Sequence, residues 1–219
     1  MNTLTTPGLV MDHPFIVGVG GFTSEVGKTT LLCKLIEMFP GWEAIKTTRG
    51  HYRSCGKDPQ SCCVSHLLQD KALIKSGRLE TYELGKDTGR YWDSGAANVH
   101  WVIATDDQLE EGIKEALTRV TSEGVFVEGN SFSSYVKTDF FVMVTRADLP
   151  RIKRTARNIL PNVSAVYVSD RNNSARESFE LLSTKLKLES SGNVPPVFSS
   201  NQVADLAACL RPENSKVFV

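Results

Sequence analysis

The chain has 219 residues, with 25 Lys and Arg against 25 Asp and Glu, so its formal net charge at neutral pH is zero. That length suits one large domain or two small ones with a substantial core. The charge balance argues against an overall field drawing nucleic acid or an acidic membrane, and no apolar run is long enough to span a bilayer. Residues 1–14 are polar and Thr-rich, without the basic start and apolar run of a signal peptide. They read as an extended or disordered lead-in to a domain over 15–219, in a cytoplasmic protein. Phe15 to Gly20 is an apolar strand, followed by a Gly-containing turn and a helix with Leu31, Leu32, Leu35, Ile36 and Phe39 on one face, ended by Pro40-Gly41. Trp42 to Lys46 predicts a short second strand, and Thr47 to Ser65 a long polar, Cys-rich loop. Leu67 to Lys75 predicts a short helix, Leu79 to Leu84 a strand or extended segment, and Gly85 to Ala96 a loop running into a short helix. Val99 to Ala104 is a strand. The helix that follows carries Leu109, Ile113, Ala116, Leu117 and Val120 inward, with Asp106 or Asp107 as its cap and Glu110 as capping-box partner. Val125 to Val127 and Phe140 to Val144 are apolar strands. Leu149 to Leu160 predicts a basic amphipathic helix. Then come a strand at Ala165 to Val168, a helix at Ser174 to Leu188, a linker at Ser190 to Pro196 and a last helix at Gln202 to Leu210. Strands alternate with helices, and several strands are apolar without alternation. The fold class expected is therefore α/β, a parallel β-sheet flanked by helices.

Four places carry polar residues directly after strands, where a parallel sheet puts its ligands. The first is Gly21-Phe22-Thr23-Ser24-Glu25-Val26-Gly27-Lys28-Thr29-Thr30, which has the strand–turn–helix context of a phosphate-binding P-loop. Backbone N–H groups of the turn and the helix N-terminus would hold phosphate oxygens. Lys28 would contact the outer phosphates, and Thr29 would place its hydroxyl on Mg²⁺. The strict pattern has a Gly where Phe22 stands, so this loop is one residue longer. The bland alternative is a Gly-rich turn with a surface lysine. Glu128, at the end of its strand, is placed to bind Mg²⁺ directly or through water, or to orient an attacking water; otherwise it is an acid exposed at a strand end. Asp87 is a second candidate for Mg²⁺, or else a turn residue capping the next helix. Thr145-Arg146-Ala147-Asp148 resembles the guanine-reading Asn-Lys-x-Asp motif of GTPases, with Thr for Asn and Arg for Lys; the resemblance implies that Asp148 accepts from the paired donor edge of guanine, an edge adenine lacks, and so favours GTP over ATP. The alternative is an Asp capping the following helix, where Pro150 suits the first turn. Ser169-Asp170 is the fourth.

Cys55, Cys62 and Cys63, between His51 and His66, could supply a tetrahedral Zn²⁺ or another transition metal. They match no common ferredoxin spacing, and unliganded loop thiols are the alternative. Cys33 and Cys209 fall in helix patterns and read as core residues.

The P-loop resembles the longer loop of dethiobiotin synthetases. With Gly85-Lys86-Asp87-Thr88, Gly95-Ala96, Val127-Glu128-Gly129 and the Val194 to Phe198 ending, the chain resembles the molybdopterin-guanine dinucleotide biosynthesis adaptor proteins. These belong to the P-loop class that also holds dethiobiotin synthetase and the nickel-insertion GTPases. The resemblance implies a P-loop nucleoside triphosphate hydrolase fold, binding of GTP (or ATP) with Mg²⁺, and weak hydrolysis involving Lys28 and Glu128. It also implies an accessory role with a partner that assembles molybdenum cofactor or another metallocentre, and a homodimer. The Cys loop stands where that family has His- and Asp-rich residues, and would suit a metal carrier. The second Lys of partition-type ATPases is absent from Gly20 to Phe22. Two alternatives stay open: an ATP-dependent small-molecule kinase or ligase of the dethiobiotin synthetase type, and a non-catalytic nucleotide-binding domain.

Overall fold

A computed structural model describes residues 13–50, 67–68, 70–170, 174–188 and 195–211. Its centre is a sheet of eight strands in the order β3-β4-β2-β5-β1-β6-β7-β8. The strands are β1 (Phe15–Gly21), β2 (Glu43–Arg49), β3 (Leu73–Ser76), β4 (Val99–Ala104), β5 (Gly124–Glu128), β6 (Phe140–Thr145), β7 (Ala165–Val168) and β8 (Val197–Ser199). All neighbours run parallel except β3, which pairs antiparallel with β4 at one edge. The helices are α1 (Lys28–Met38), α2 (Arg78–Thr81), α3 (Asp87–Asp93), α4 (Leu109–Thr118), α5 (Arg154–Ile159), α6 (Ala175–Leu186) and α7 (Val203–Cys209).

The central strands are buried on both faces, which is why they read as unbroken apolar runs. Phe15, Val17 and Val19 face one core with Leu31, Leu35, Tyr91, Phe126 and Leu206, under α1, α3 and α7. Ile16 faces the other with Ile113, Val127, Phe141, Ala156 and Phe179, under α4, α5 and α6. Trp42, packed against Phe39 and Phe126, closes the amino end of the first core. Cys33 is buried and Cys209 packs against the same core, as expected of helix cysteines.

Several expectations are corrected. The helix expected to end at Lys75 is strand β3, because Leu73 and Ile74 are taken up by pairing with Ile103 and Val102 of the neighbouring edge. Of the strand or extended segment expected over Leu79 to Leu84, Leu79 to Thr81 belong instead to the single turn α2, whose Thr81 hydroxyl donates to Gly77 O at 2.8 Å, while Tyr82 is extended. Strand β2 runs on to Arg49, because β4 pairs with it through Arg49↔Ala104. Helix α5 begins at Arg154 rather than Leu149: Leu149 and Arg151 are turned instead, with Arg151 N–H on Leu149 O at 2.7 Å. Asp106 does not cap α4 but pairs with Arg49 at 2.5 Å. Gln108 holds the N-cap position, its Oε1 accepting from Thr105 N–H at 3.1 Å. The segment after the linker adds an eighth strand, β8, paired with β7.

Candidate nucleotide site

The carboxyl ends of β1, β5, β6, β7 and β2 open on one edge of the sheet, and the loop from Phe22 to Gly27 lies across it. Two of its residues, Glu25 (φ 64°) and Gly27 (φ 95°), are left-handed and are separated by Val26, which is fully buried. Left-handed residues set between right-handed ones are the backbone pattern of an anion-binding nest. Glu25 adopts it against its own preference, a local strain of the kind that clusters at ligand sites.

The loop is pinned at both ends. Asn130 clasps Gly21, its Oδ1 accepting from Gly21 N–H at 2.8 Å and its Nδ2 donating to Gly21 O at 2.9 Å. At the far end Ser169 Oγ donates to Val26 O at 2.6 Å, and an Arg146 nitrogen donates to Glu25 O at 3.3 Å. The middle is spanned by lysines: Lys28 Nζ donates to Thr23 O at 3.2 Å and Lys153 Nζ to Ser24 Oγ at 2.8 Å. Burial lowers the pKa of Lys28, and Glu128 opposes that shift.

Beneath the loop Thr29, Asp87 and Glu128 come together. Thr29 Oγ1 donates to Glu128 Oε2 at 2.9 Å, and the buried Tyr91 hydroxyl donates to the same oxygen. Lys46 Nζ lies 2.5 Å from Glu128 Oε1 and 2.6 Å from Asp87 Oδ2. Glu128 is therefore buried rather than exposed at its strand end, and the Asp87 carboxylate turns to Lys46. Burial alone would raise the Asp87 pKa, but Lys46 outweighs it and holds the acid below its usual range. Burial likewise opposes the charge on Lys46, and Glu128 and Asp87 overcome it, so its pKa is raised. Thr30 Oγ1 accepts from Arg90 at 3.2 Å, which ties α3 to α1.

Two cavities flank the loop. One, of about 980 Å³, lies on the β6–β7 side and is lined by Gly27, Lys34, Arg146, Asp148, Asp170 and Asn201 among others. Asp148 stands at its rim, its two oxygens held by Arg146 at 2.9 and 2.5 Å, while Asp170 Oδ2 accepts Ala147 N–H at 2.7 Å. The other, of about 410 Å³, lies beyond Lys28 and is lined by Thr47, Arg49, Asn130, Lys153 and Thr155 among others. Cys55, Cys62 and Cys63 lie outside the described residues. Among the described residues, no three His, Cys, Asp or Glu side chains gather as a metal cluster.

Sequence reasoning missed Lys46, Tyr91, Asn130 and Lys153. The first closes the second strand expected from the sequence, but β2 runs on to Arg49, so Lys46 reaches the site as the register partner of Glu128 and not from a strand end. The other three sit off the strand ends, and only the fold brings them in.

No protein-family model matches the chain, and no curated protein matches it. Among solved structures it is similar to LpxK from Aquifex aeolicus in complex with ATP, at 16% identity over 86% of this chain and 54% of that one, with a TM-score of 0.46. It is also similar to HypB from Helicobacter pylori in complex with nickel, at 11% identity over 94% and 89%, with a TM-score of 0.47. A third is a LAO/AO transport system kinase, at 10% identity over 94% and 60%, with a TM-score of 0.48. The chain thus spans about half the length of the LpxK chain it matches. The strand–loop–helix of β1 and α1 is set in a mostly parallel sheet with helices on both faces, an α/β fold. No described helix is long and apolar enough to cross a membrane.

Proposed function

We propose that this chain binds a nucleoside triphosphate with Mg²⁺, prefers GTP to ATP, and hydrolyses it slowly if at all. The observation that carries the reading is the convergence of Thr29, Asp87 and Glu128 directly under a loop with nest geometry. The donors are hard oxygens, one hydroxyl and two carboxylates, which suit Mg²⁺. When bound, the ion would neutralise the outer phosphates. The loop N–H groups of Thr23 to Thr30 and the Lys28 ammonium would hold the phosphates, and Glu128 would fix the hydroxyl of Thr29 or orient a water. Asp148 would read the base from the larger cavity once Arg146 releases it. The finer role is accessory, in the assembly of molybdenum cofactor or another metallocentre with a partner assembly protein, by a homodimer. It rests on the resemblance carried by Asp87-Thr88, Gly95-Ala96 and Glu128-Gly129, and on the thiols of Cys55, Cys62 and Cys63, with Zn²⁺ or another transition metal as cargo.

Calorimetric titration with GTP and ATP, with and without Mg²⁺, tests the core of this reading. Binding of GTP that needs Mg²⁺ and is lost in Lys28→Ala is the expected result; no binding of either nucleotide overturns it. Asp148→Ala should erase the preference for GTP. Metal in elemental analysis that disappears in Cys55→Ser would support the metallocentre role.

A second reading, a small-molecule kinase or ligase, is favoured by the polar cavity of about 410 Å³ beyond Lys28, which has the size of a small-ligand pocket. It requires a preference for ATP and fast turnover with the right metabolite. A non-catalytic domain would instead bind nucleotide without turnover, and Lys28→Ala would change little beyond stability.

A further inference from the structure

Lys46 sits between the two acids that the Mg²⁺ reading needs, and that reading gives it no part. It leaves β2 as the register partner of Glu128 on β5, so the two side chains stand beside each other by strand pairing. Its Nζ lies 2.5 Å from Glu128 Oε1 and 2.6 Å from Asp87 Oδ2, while Thr29 Oγ1 holds the other oxygen of Glu128 at 2.9 Å. The ammonium therefore touches two of the three groups that suit the ion, the carboxylates of Asp87 and Glu128, with Thr29 on the far oxygen of Glu128. The Glu128 side chain is 2% exposed and that of Lys46 16%. The Asp87 side chain is 42% exposed, so Glu128 alone is shut off from water; two carboxylates so placed still repel each other unless a positive charge lies between them. Mg²⁺ would make its own bonds at about 2.1 Å. An ammonium in contact with both acids fills the space between them, so the ion and the ammonium cannot share it.

We infer that Lys46 is the resident counter-cation of this site: its ammonium stands in the place of the divalent ion, and metal entry drives it out. The inference rests on the assignment of Mg²⁺ to Thr29, Asp87 and Glu128. Two consequences follow. The carboxylates stay gathered when no metal is bound, so the site is held ready. Metal without nucleotide binds poorly, because it must displace a well-paired ammonium and leave that charge without its partners.

The test uses Mn²⁺ as probe on the nucleotide-free protein, with the free-ion signal followed by electron paramagnetic resonance. Lys46→Met keeps the length of the side chain and removes its charge. It should bind Mn²⁺ about tenfold more tightly than the wild type, or better. Unchanged or weaker binding overturns the inference, since Lys46 would then be neutral to the metal or helpful to it. A variant that fails to fold leaves the wild-type chain to decide. There, the side-chain ¹³Cε and ¹⁵Nζ resonances of Lys46 should shift during titration with Mg²⁺ and GTP, in step with the amide of Thr29. A Lys46 resonance that stays put while nucleotide and Mg²⁺ saturate the protein sinks this inference and leaves the nucleotide reading standing. Absence of nucleotide binding sinks that reading, and the Mn²⁺ measurement still reports on Lys46.

Discussion

Glu43, which opens β2 three residues before Lys46, offers a quantitative check on how that strand is held. Its side chain is 1% exposed, and one oxygen accepts from Thr121 N–H at 2.7 Å, Ser122 N–H at 2.9 Å and Thr121 Oγ1 at 3.0 Å. The other meets His100 Nε2 at 2.7 Å. Burial would raise its pKa, but these hydrogen bonds, His100 first, bring it from the ordinary 4.5 down to about 2. A folded-state pKa below the unfolded one means that the carboxylate stabilises the fold above pH 4.5 and that this is lost as pH falls towards 2. The size is about 3 kcal/mol at neutral pH, shrinking to about 1 kcal/mol by pH 3. Urea denaturation of wild type and Glu43→Gln across that range measures it directly. The variant should be less stable by about 3 kcal/mol at pH 7, with the gap closing as the solution is acidified. A gap that does not change with pH, or one well under 1 kcal/mol at pH 7, would show that the charge does not anchor β2 to the turn before β5.

Gly129 has φ 152°, and a Cβ there would lie 2.0 Å from Thr47 Oγ1, which donates to Glu128 O. Gly129→Ala should therefore cost about 2–4 kcal/mol, read as a lower melting temperature by circular dichroism, and an unchanged melt would refute the contact. Asn130→Ala strips both hydrogen bonds from Gly21 and should cost about 1–3 kcal/mol, with weaker nucleotide binding in the same calorimetric assay. Asp87, whose pKa is held below its ordinary 3.8, contributes stability above that pH and loses it on acidification through its folded value. Asp87→Asn should flatten that part of the pH profile of thermal stability, and a profile unchanged by the substitution would count against the Lys46 pairing.

The parts of the fold that could be read from the sequence are those set by local chemistry. Gly27-Lys28-Thr29 after an apolar run can hardly be other than strand, turn and helix start, and the double-faced burial of β1, β5 and β6 is written in their composition. Glu128 and Asp87 followed from asking what lies beyond a strand or leads a helix. The misreadings fall where neighbours decide. Leu73-Ile74 carries no period of its own and is a strand only because the edge of β4 is free to pair with it. The short β8 depends in the same way on β7. Asn130 and Lys153 are ordinary loop polar residues until β5 and α5 bring them to the loop at the end of β1. Tyr91 lies in a segment that reads only as a loop running into a short helix, and its hydroxyl gains a partner because the fold brings α3 to Glu128.

The way the loop from Phe22 to Gly27 is fastened determines how it can respond. Its two ends are secured by partners with no reason to move: the amide of Asn130 on one side, the hydroxyl of Ser169 on the other. Across the middle the ties come from two ammonium groups, Lys28 and Lys153, bonded to Thr23 and Ser24. An arriving polyanion outcompetes a neutral carbonyl or hydroxyl for an ammonium. The ligand would thus undo the clasps that close its own berth and take both cations as partners, while the hinges of the loop stay fixed.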